Sequence, residues 1–170
     1  MLPLALILAL LIYSSTGGGV LYFSRRIGAD KKEFLMPKFR TMIAGTPVVP
    51  THLLSDPSRF VTPLGSFLRK SSLDEIPQIW SVIKGDMSLV GPRPALYNQV
   101  DLISMREEFG INELCPGLTG WAQVGGRDAL ELKHKVERDL FYKERMSMLF
   151  DVAIIAVTFI RVFKTVEVSH

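Results

Sequence analysis

The 170-residue chain has little cysteine and little histidine: one cysteine, Cys115, and three histidines. A single thiol excludes an internal disulfide and any cysteine-rich metal site, and a protein without structural disulfides suits a reducing compartment. The histidines His52, His134 and His170 show none of the paired spacings that bind zinc. Candidate chemistry is therefore sought among the carboxylates and the cationic side chains.

The chain also has little net charge, +3 at pH 7. Its basic residues nevertheless cluster between Arg25 and Arg40, which predicts a basic face. Such a face suits nucleic acid, an anionic membrane surface or a phosphorylated substrate, and the small total excess argues against nucleic acid. A solvated charged loop is the plainer alternative.

A membrane-spanning helix needs about 20 consecutive apolar residues, and no apolar run in this chain is that long. Met1 to Tyr13 is apolar throughout, which suits a buried, interfacial or re-entrant segment. No basic residue precedes this run, as one would in a signal peptide, and the basic residues behind it predict that this side faces the cytoplasm. A second apolar stretch, Met148 to Phe163, carries Asp151 and Arg161 and predicts a helix. It either packs within the protein or lies in the membrane interface.

Two adjacent carboxylates, Asp74 and Glu75, stand in the most informative stretch, Ser71 to Gln78. Apolar residues at helical spacing follow, and they predict a helix from Pro77 to Lys84. Because proline biases the preceding residue away from helical geometry, we expect the two carboxylates on the entering turn, where their side chains can converge. The pair is a candidate phosphate and metal site, although it also fits an ordinary capping box.

Short strands are predicted on either side of this pair. Val20 to Phe23 and Phe34 to Met42 form a predicted hairpin around a basic turn, and strand alternation puts Lys38 and Arg40 on one face. Leu118 to Val124 is predicted as a further strand. A helix follows it, with Leu132, Val136 and Leu140 as its inner stripe.

Arginines recur in turns that are marked by glycine and proline. Arg69 stands just before the carboxylate pair, and Arg93 lies in the stiff turn Gly91 to Pro94. Arg127 follows a glycine pair at the entrance of a helix that Asp128 is predicted to cap. A fixed arginine binds a phosphate at lower entropic cost than a mobile one, so these turns predict an anion site beside a divalent cation.

Blocks of sequence in this order resemble the bacterial sugar transferases, specifically the small monotopic phosphoglycosyl transferases. The matching blocks cover nearly the whole chain: Lys38 to Met42, Leu68 to Glu75, Gly85 to Pro94 and Pro116 to Gln123. One departure is Gly125, where the family commonly has asparagine.

The resemblance implies a small, compact, mixed α/β domain with short strands, amphipathic interfacial helices and an N-terminal re-entrant, non-spanning membrane helix. Residues 1–19 would form the re-entrant segment, and residues 20–170 the catalytic domain with an interfacial helix over 148–163. The family's re-entrant helix bends at a Ser-Pro break. Because Leu2-Pro3 stands about where that break is expected, we expect the incoming half of the helix to be absent and the usual serine to be missing.

The activity that the resemblance implies is transfer of a sugar 1-phosphate from a UDP-sugar to polyprenyl (undecaprenyl) phosphate with Mg²⁺, at the cytoplasmic face of the bacterial inner membrane. This step would initiate synthesis of a glycoconjugate. Other implied partners are the inner leaflet and, as an option, a second copy of the chain, with no nucleic acid. A rival hypothesis is an inactive membrane-bound scaffold of the same fold that recruits glycan-assembly partners, but Asp74, Glu75 and Arg93 are all present, which argues against it.

The family's site residues can be carried onto this chain one by one. Asp74 would be the nucleophile that becomes a phosphosugar adduct, and Glu75 would help to hold the metal, with Asp74 as its neighbour. Gln123 is a candidate contact for the nucleotide. The candidate phosphate contacts are Lys38, Arg40, Arg69, Arg93 and Arg127.

Overall fold

The computed structural model describes residues 2–17, 19–47, 56, 59–126 and 131–167. Within these ranges the chain is a mixture of helices and short strands, and no helix among them is long and apolar enough to cross a membrane. The α-helices are α1 (Leu2–Thr16), α2 (Pro63–Lys70), α3 (Ile79–Lys84), α4 (Val100–Glu108), α5 (Trp121–Gly126), α6 (Leu132–Arg145) and α7 (Met148–Glu167). The strands are β1 (Leu21–Ile27), β2 (Glu33–Phe39), β3 (Ser88–Val90) and β4 (Gly117–Thr119).

Strands β1 and β2 form the predicted antiparallel hairpin, with Leu21 opposite Phe39 and Ile27 opposite Glu33. The strands differ from the prediction because Arg25 and Arg26, expected in a turn, belong to β1. Arg25 pairs with Glu33 of the opposite strand, and Arg26 donates to Ser24 and to the carbonyl of Pro94. Cross-strand pairing of opposite charges lets basic residues occupy the strand.

The helix predicted from Pro77 onward begins earlier, as a 3₁₀ helix over Leu73–Gln78 that runs directly into α3. The prediction that Pro77 occupies the first helical position is therefore wrong. Ser72 explains the early start: it adopts the left-handed conformation, with φ of 57°, and its carbonyl accepts a hydrogen bond from the Glu75 backbone N–H at 3.2 Å. The tight turn places both carboxylates inside the helix.

The polar and apolar faces of this helical segment are reversed relative to the usual arrangement. Gln78 and Ser81 are buried, at 0% and 1% exposure, whereas Trp80 and Ile83 are 65% and 72% exposed. A helix on a protein core normally turns its apolar stripe inward. Here the polar side lies against the hairpin and the apolar side faces outward.

The parallel strands β3 and β4 hold the turn that carries Arg93. Gly91 donates its N–H to the Thr119 carbonyl, and Gly117 donates to the Pro92 carbonyl, each at 2.9 Å. The two glycine backbones lie so close together that a Cβ on Gly117 would collide with Gly91. Glycine is needed because any side chain at this crossing would push the turn away from β4.

The predicted strand over 118–124 is wrong beyond Thr119, because the chain turns into α5 at Trp121. The turn occurs at Gly120, whose missing side chain lets it approach the Gly91 carbonyl. Val124 then donates its N–H to the Gly120 carbonyl at 3.0 Å, as in a helix.

Helices α6 and α7 cover the back of these strands. Val136 is buried as predicted and Leu140 packs beside it, but Leu132 is 37% exposed. The predicted cap at Asp128 lies outside the described residues. In α7, Ile154 is buried. Among the side chains of α7 that the structure describes, the exposed large apolar residues include Met148, Leu149, Val152, Phe159 and Ile160. One side of α7 therefore packs on the protein while its other side presents apolar surface.

Candidate active site

Glu75 is held by two cations that come from distant parts of the chain. Lys38 at the end of β2 donates to its Oε1 from Nζ at 2.9 Å, and Arg93 donates to the same oxygen from Nη2 at 2.7 Å. Burial raises the pKa of the Glu75 carboxyl, but the charges of Arg93 and Lys38 outweigh burial and hold that pKa well below its usual range. Glu75 is consequently ionised at neutral pH.

Lys38 and Arg93 lie close enough to influence each other. Burial lowers the pKa of Lys38, and the positive charge of Arg93 lowers it further, while Glu75 opposes both effects. The carboxylate between the two cations thus compensates their mutual repulsion. Without it, two partly buried positive charges would face each other.

Asp74 differs from its neighbour in having no hydrogen bond or ion pair with its side chain among the described residues. The residue is 7% exposed. Burial raises the pKa of its carboxyl, and the charges of Lys38, Arg69 and Arg93 only partly oppose this. An ionised Asp74 is poorly solvated, so its oxygens are available to react with an electrophile or to bind a cation.

The structure brings some of the predicted phosphate contacts to this cluster and leaves others apart. Arg69 lies near it, with its Nε donating to Thr41 Oγ1 at 2.8 Å. Arg40 follows the end of β2 at Phe39, and its Nε donates to the Gly19 carbonyl at 2.7 Å rather than to Glu75. Its guanidinium lies 5.9 Å from the centre of the ring of Tyr22, the residue opposite Lys38 in the hairpin, and its role as a phosphate contact stays a prediction.

The remaining predicted residues lie around α5. Gln123 donates from Nε2 to the Leu118 carbonyl at 3.1 Å, and its Oε1 is buried without a partner among the described residues. Arg127 lies outside the described residues. At Gly125 the guanidinium of Arg138 fills the space that a side chain would take, stacked 5.9 Å from the centre of the Trp121 ring. Arg138 thus fills the space that an asparagine side chain at this position would need.

Sequence reasoning missed two features of the site. Gln78 is completely buried directly after the carboxylates, with neither amide atom bonded to any described group. Arg106 on α4 donates to the Arg93 carbonyl at 3.0 Å. No local pattern points to Arg106, because its partners lie 13 and 33 positions away in the chain. Gln78 had a signal: a polar residue that breaks the apolar stripe one turn after the pair.

Among the described residues, the carboxylate pair is the candidate set of metal ligands. The described ranges contain no group of three or more histidine, cysteine, aspartate or glutamate residues that could hold a metal. Magnesium, however, is usually bound by one or two carboxylates together with substrate phosphates and water. The two hydrogen bonds that described residues donate to the Glu75 side chain reach Oε1, so Oε2 and the carboxylate of Asp74 fit such a two-carboxylate site.

A site of this kind, in which Lys38, Arg69 and Arg93 lie around two carboxylates that fit a metal, suits an enzyme that acts on a phosphorylated substrate. Comparison with known proteins identifies the family. The model of the "Bacterial sugar transferase" family matches residues 1–165, and the chain belongs to that family. Membership makes it an enzyme of the phosphoglycosyl transferase class.

Several curated relatives are similar along most of this chain. The exopolysaccharide production protein ExoY of Sinorhizobium fredii is 37% identical over 179 residues, which cover 96% of this chain and 76% of the relative. The UDP-glucose:undecaprenyl-phosphate glucose-1-phosphate transferase of Escherichia coli is 38% identical, over 95% of this chain and 36% of the relative. The UDP-N-acetylgalactosamine-undecaprenyl-phosphate N-acetylgalactosaminephosphotransferase of Aeromonas hydrophila is 36% identical, over 97% of this chain and 38% of the relative. The chain thus spans little more than a third of the two longer transferases.

Replacing Asp74 by asparagine should stabilise the fold at neutral pH. An acid whose pKa is raised by folding binds its proton more tightly in the folded state, so its ionisation above that pKa lowers the free energy of unfolding. Asparagine removes this charge and should therefore stabilise the fold. Such a gain is typical of a site in which a group needed for activity lowers stability. Thermal unfolding followed by circular dichroism should show a higher Tm for Asp74→Asn at pH 7, with the difference shrinking as the pH falls toward the ordinary aspartate value of about 3.9.

The matched control for this measurement is Asp101→Asn. Asp101 is exposed on the first turn of α4, where its charge favours the helix, so this change should not stabilise the chain. A lower Tm for Asp74→Asn than for the unchanged chain at pH 7 would contradict a charge that is costly to bury.

Proposed function

We propose that the chain transfers a sugar 1-phosphate from a UDP-sugar to undecaprenyl phosphate, and thereby starts a glycan such as an exopolysaccharide on its lipid carrier. The observation that carries the proposal is the contrast between two adjacent carboxylates: Glu75 is held by Lys38 and Arg93, whereas Asp74 is buried and has no hydrogen-bond partner among the residues that the structure describes. The names of the Escherichia coli and Aeromonas relatives describe the same kind of reaction.

In the first step, Asp74 acts as the nucleophile. A carboxylate oxygen attacks the phosphorus that bears the sugar, and the bond from this phosphorus to the bridging oxygen breaks, so that UMP leaves with the electron pair. The product is an acyl phosphate between Asp74 and the sugar phosphate. Arg93 and Lys38 supply fixed positive charge beside the diphosphate, and Arg69 adds to it.

In the second step, a phosphate oxygen of undecaprenyl phosphate attacks the same phosphorus. The acyl phosphate bond breaks, Asp74 regains its carboxylate, and the sugar is left on an undecaprenyl diphosphate. Two displacements at one phosphorus by way of Asp74 divide the transfer into two easier steps. They also allow the nucleotide product to leave before the lipid enters.

Magnesium would be held by Glu75 Oε2 and the Asp74 carboxylate. When bound, the ion supplies Lewis-acid polarisation of the diphosphate and neutralises charge on the leaving nucleotide. Glu75 suits this role because its pKa is depressed, and it therefore stays ionised across the physiological pH range. Lys38 and Arg93 fix its orientation, as the hydrogen-bonded neighbours of a metal ligand commonly do.

The membrane is the second part of the proposal. The apolar side chains of α3 face outward although its polar side is buried, and α7 exposes Met148 and Leu149, each at 84%. Outward-facing apolar helices beside a lipid-using site favour a position on the inner leaflet, at the cytoplasmic face of the bacterial inner membrane. We propose that α1 enters that leaflet without crossing it, as a re-entrant segment.

The covalent step is tested by mixing purified protein with a panel of UDP-sugars and Mg²⁺ in the absence of lipid. The chain should gain the mass of one phosphosugar, located on Asp74 by peptide mass spectrometry, and release about one UMP per chain. Chelation of Mg²⁺ should prevent both. Asp74→Asn should form no adduct and lose about 10³-fold or more in turnover, while the exposed Asp101→Asn should behave as the unchanged chain. An adduct on another residue would contradict the role of Asp74, and no UMP release with any sugar would favour the inactive scaffold.

The membrane position is tested by sedimentation with inner-membrane vesicles in 1 M NaCl. Electrostatic attraction is screened within about 3 Å at that salt concentration, so an apolar attachment should survive it. Trp80→Lys combined with Ile83→Lys should release a measurable fraction of the protein, whereas Val100→Lys, an equally exposed apolar position on α4, should not. Release of the unchanged chain by salt alone would contradict insertion.

A further inference from the structure

A buried ion pair stands behind the turn that carries Arg93. Arg106 on α4 and Asp139 on α6 are 4% and 1% exposed. Arg106 donates to Asp139 Oδ2 from Nη2 at 2.6 Å and from Nε at 3.1 Å. Its remaining terminal nitrogen, Nη1, donates to the Arg93 carbonyl at 3.0 Å. One guanidinium therefore joins α6 to the backbone of a site residue.

Stability alone does not account for this arrangement. Removing two charges from water is costly, and a buried ion pair is often no more stable than packed apolar side chains of the same volume. Burying a guanidinium also costs more free energy than a single hydrogen bond to a backbone carbonyl returns. The pair supplies a fixed geometry instead. Asp139 fixes the orientation of the Arg106 guanidinium, and the third hydrogen bond of that guanidinium fixes the position of the Arg93 carbonyl.

The rest of the turn is pinned by backbone or by another strand. Pro92 accepts from the Gly117 N–H at 2.9 Å, and Pro94 accepts from the Arg26 guanidinium at 3.0 Å. Arg93 stands between these points, and Arg106 is the described residue that holds its carbonyl. The continuous line of contacts runs from Asp139 through Arg106 and the Arg93 backbone to the Arg93 guanidinium, which reaches Glu75 at 2.7 Å.

We propose that Arg106 and Asp139 are positioning residues for the reaction: they hold the Arg93 peptide so that its guanidinium points at Glu75 and at the diphosphate of the nucleotide sugar. The inference rests on the proposed function for the nature of the substrate. Neither residue touches the substrate, and both act through Arg93. A shift of about 1 Å in a positioning contact is large enough to lower a rate severely.

Arg106→Lys is the informative variant, because lysine keeps a cation beside Asp139 but cannot hold Asp139 and the Arg93 carbonyl in one rigid fork. We expect kcat/KM for the UDP-sugar to fall about tenfold. In a chain that already carries Arg93→Lys, the same change should cost less than about twofold, because the guanidinium it positions is gone. If Arg106→Lys does not fold, Asp139→Asn, which keeps an acceptor oxygen, replaces it.

Tyr142→Phe is the matched control. Tyr142 is also buried on α6, and its hydroxyl donates to Asp151 at 2.8 Å and lies 3.5 Å from the Val90 carbonyl, with no hydrogen bond to Arg93 among the described contacts. Its loss should lower Tm, leave kcat/KM within about twofold, and combine additively with Arg93→Lys. A purely structural role for Arg106 would give this same additive pattern. The proposal would be overturned if the fold-losses in kcat/KM of Arg106→Lys and Arg93→Lys multiply in the double variant, which is the additive pattern in free energy. A normal kcat/KM in Arg106→Lys would also overturn it.

A readout without turnover separates this inference from the proposed function. With ¹⁵N-labelled arginine, the Nε–H signal of Arg93, assigned from Arg93→Lys, should report a rigid side chain in the unchanged protein and a mobile one in Arg106→Lys. An equally rigid Arg93 in both would overturn the positioning role even if the enzyme is active. If no UDP-sugar yields UMP, the proposed function fails, and the mobility of Arg93 still decides whether Arg106 positions it.

Discussion

The structure depends on the double ion pair at Glu75. The three residues lie far apart in sequence, on the β1–β2 hairpin, the 3₁₀ helix and the turn after β3, and their side chains meet at one oxygen, Oε1. The side chains of Lys38, Glu75 and Arg93 retain only 15%, 22% and 28% exposure, so water screens their attraction incompletely. Removing one member of a buried group of this kind typically costs about 3–5 kcal/mol, because it leaves an uncompensated charge, and partial exposure lowers that figure here. This contact joins the segments that build the site.

The same ion pairs give the two neighbouring carboxylates, Asp74 and Glu75, different surroundings. Both cations bind Glu75, so the adjacent Asp74 is buried without a hydrogen bond or ion pair to any described residue. Burial and the negative charge of Glu75 both raise the pKa of Asp74, while the pKa of Glu75 is lowered. Two titratable groups whose surroundings shift their pKa values in opposite directions are typical of sites in which each group has a separate task. The nucleophile and the metal ligand proposed here follow from this difference in surroundings.

Much of this site was predictable from sequence, because its residues stand in short blocks with strong local signals. The carboxylate pair, the β1–β2 hairpin and the stiff turn at Arg93 all have such signals. The errors have local physical causes: the left-handed Ser72 starts the helix before Pro77, and Gly120 turns the chain into α5 where alternation predicted a strand. The outward orientation of the apolar face of α3 could not be predicted from the sequence, because periodicity identifies an apolar stripe but not the side of the helix that packs on the core. Arg106 was also beyond reach, because only the fold brings it to Arg93.

The central claim is that adjacent carboxylates have pKa values shifted in opposite directions by one clamp. It is tested most directly by a carbon-13 NMR titration of protein labelled at the aspartate and glutamate side-chain carboxyl groups, with Asp74→Asn and Glu75→Gln used to assign the two signals. The account predicts that Asp74 titrates above an ordinary aspartate and that Glu75 remains ionised to the lowest pH at which the protein stays folded. Titration of Glu75 at or above the ordinary glutamate value, with Asp74 at or below that of aspartate, would contradict it.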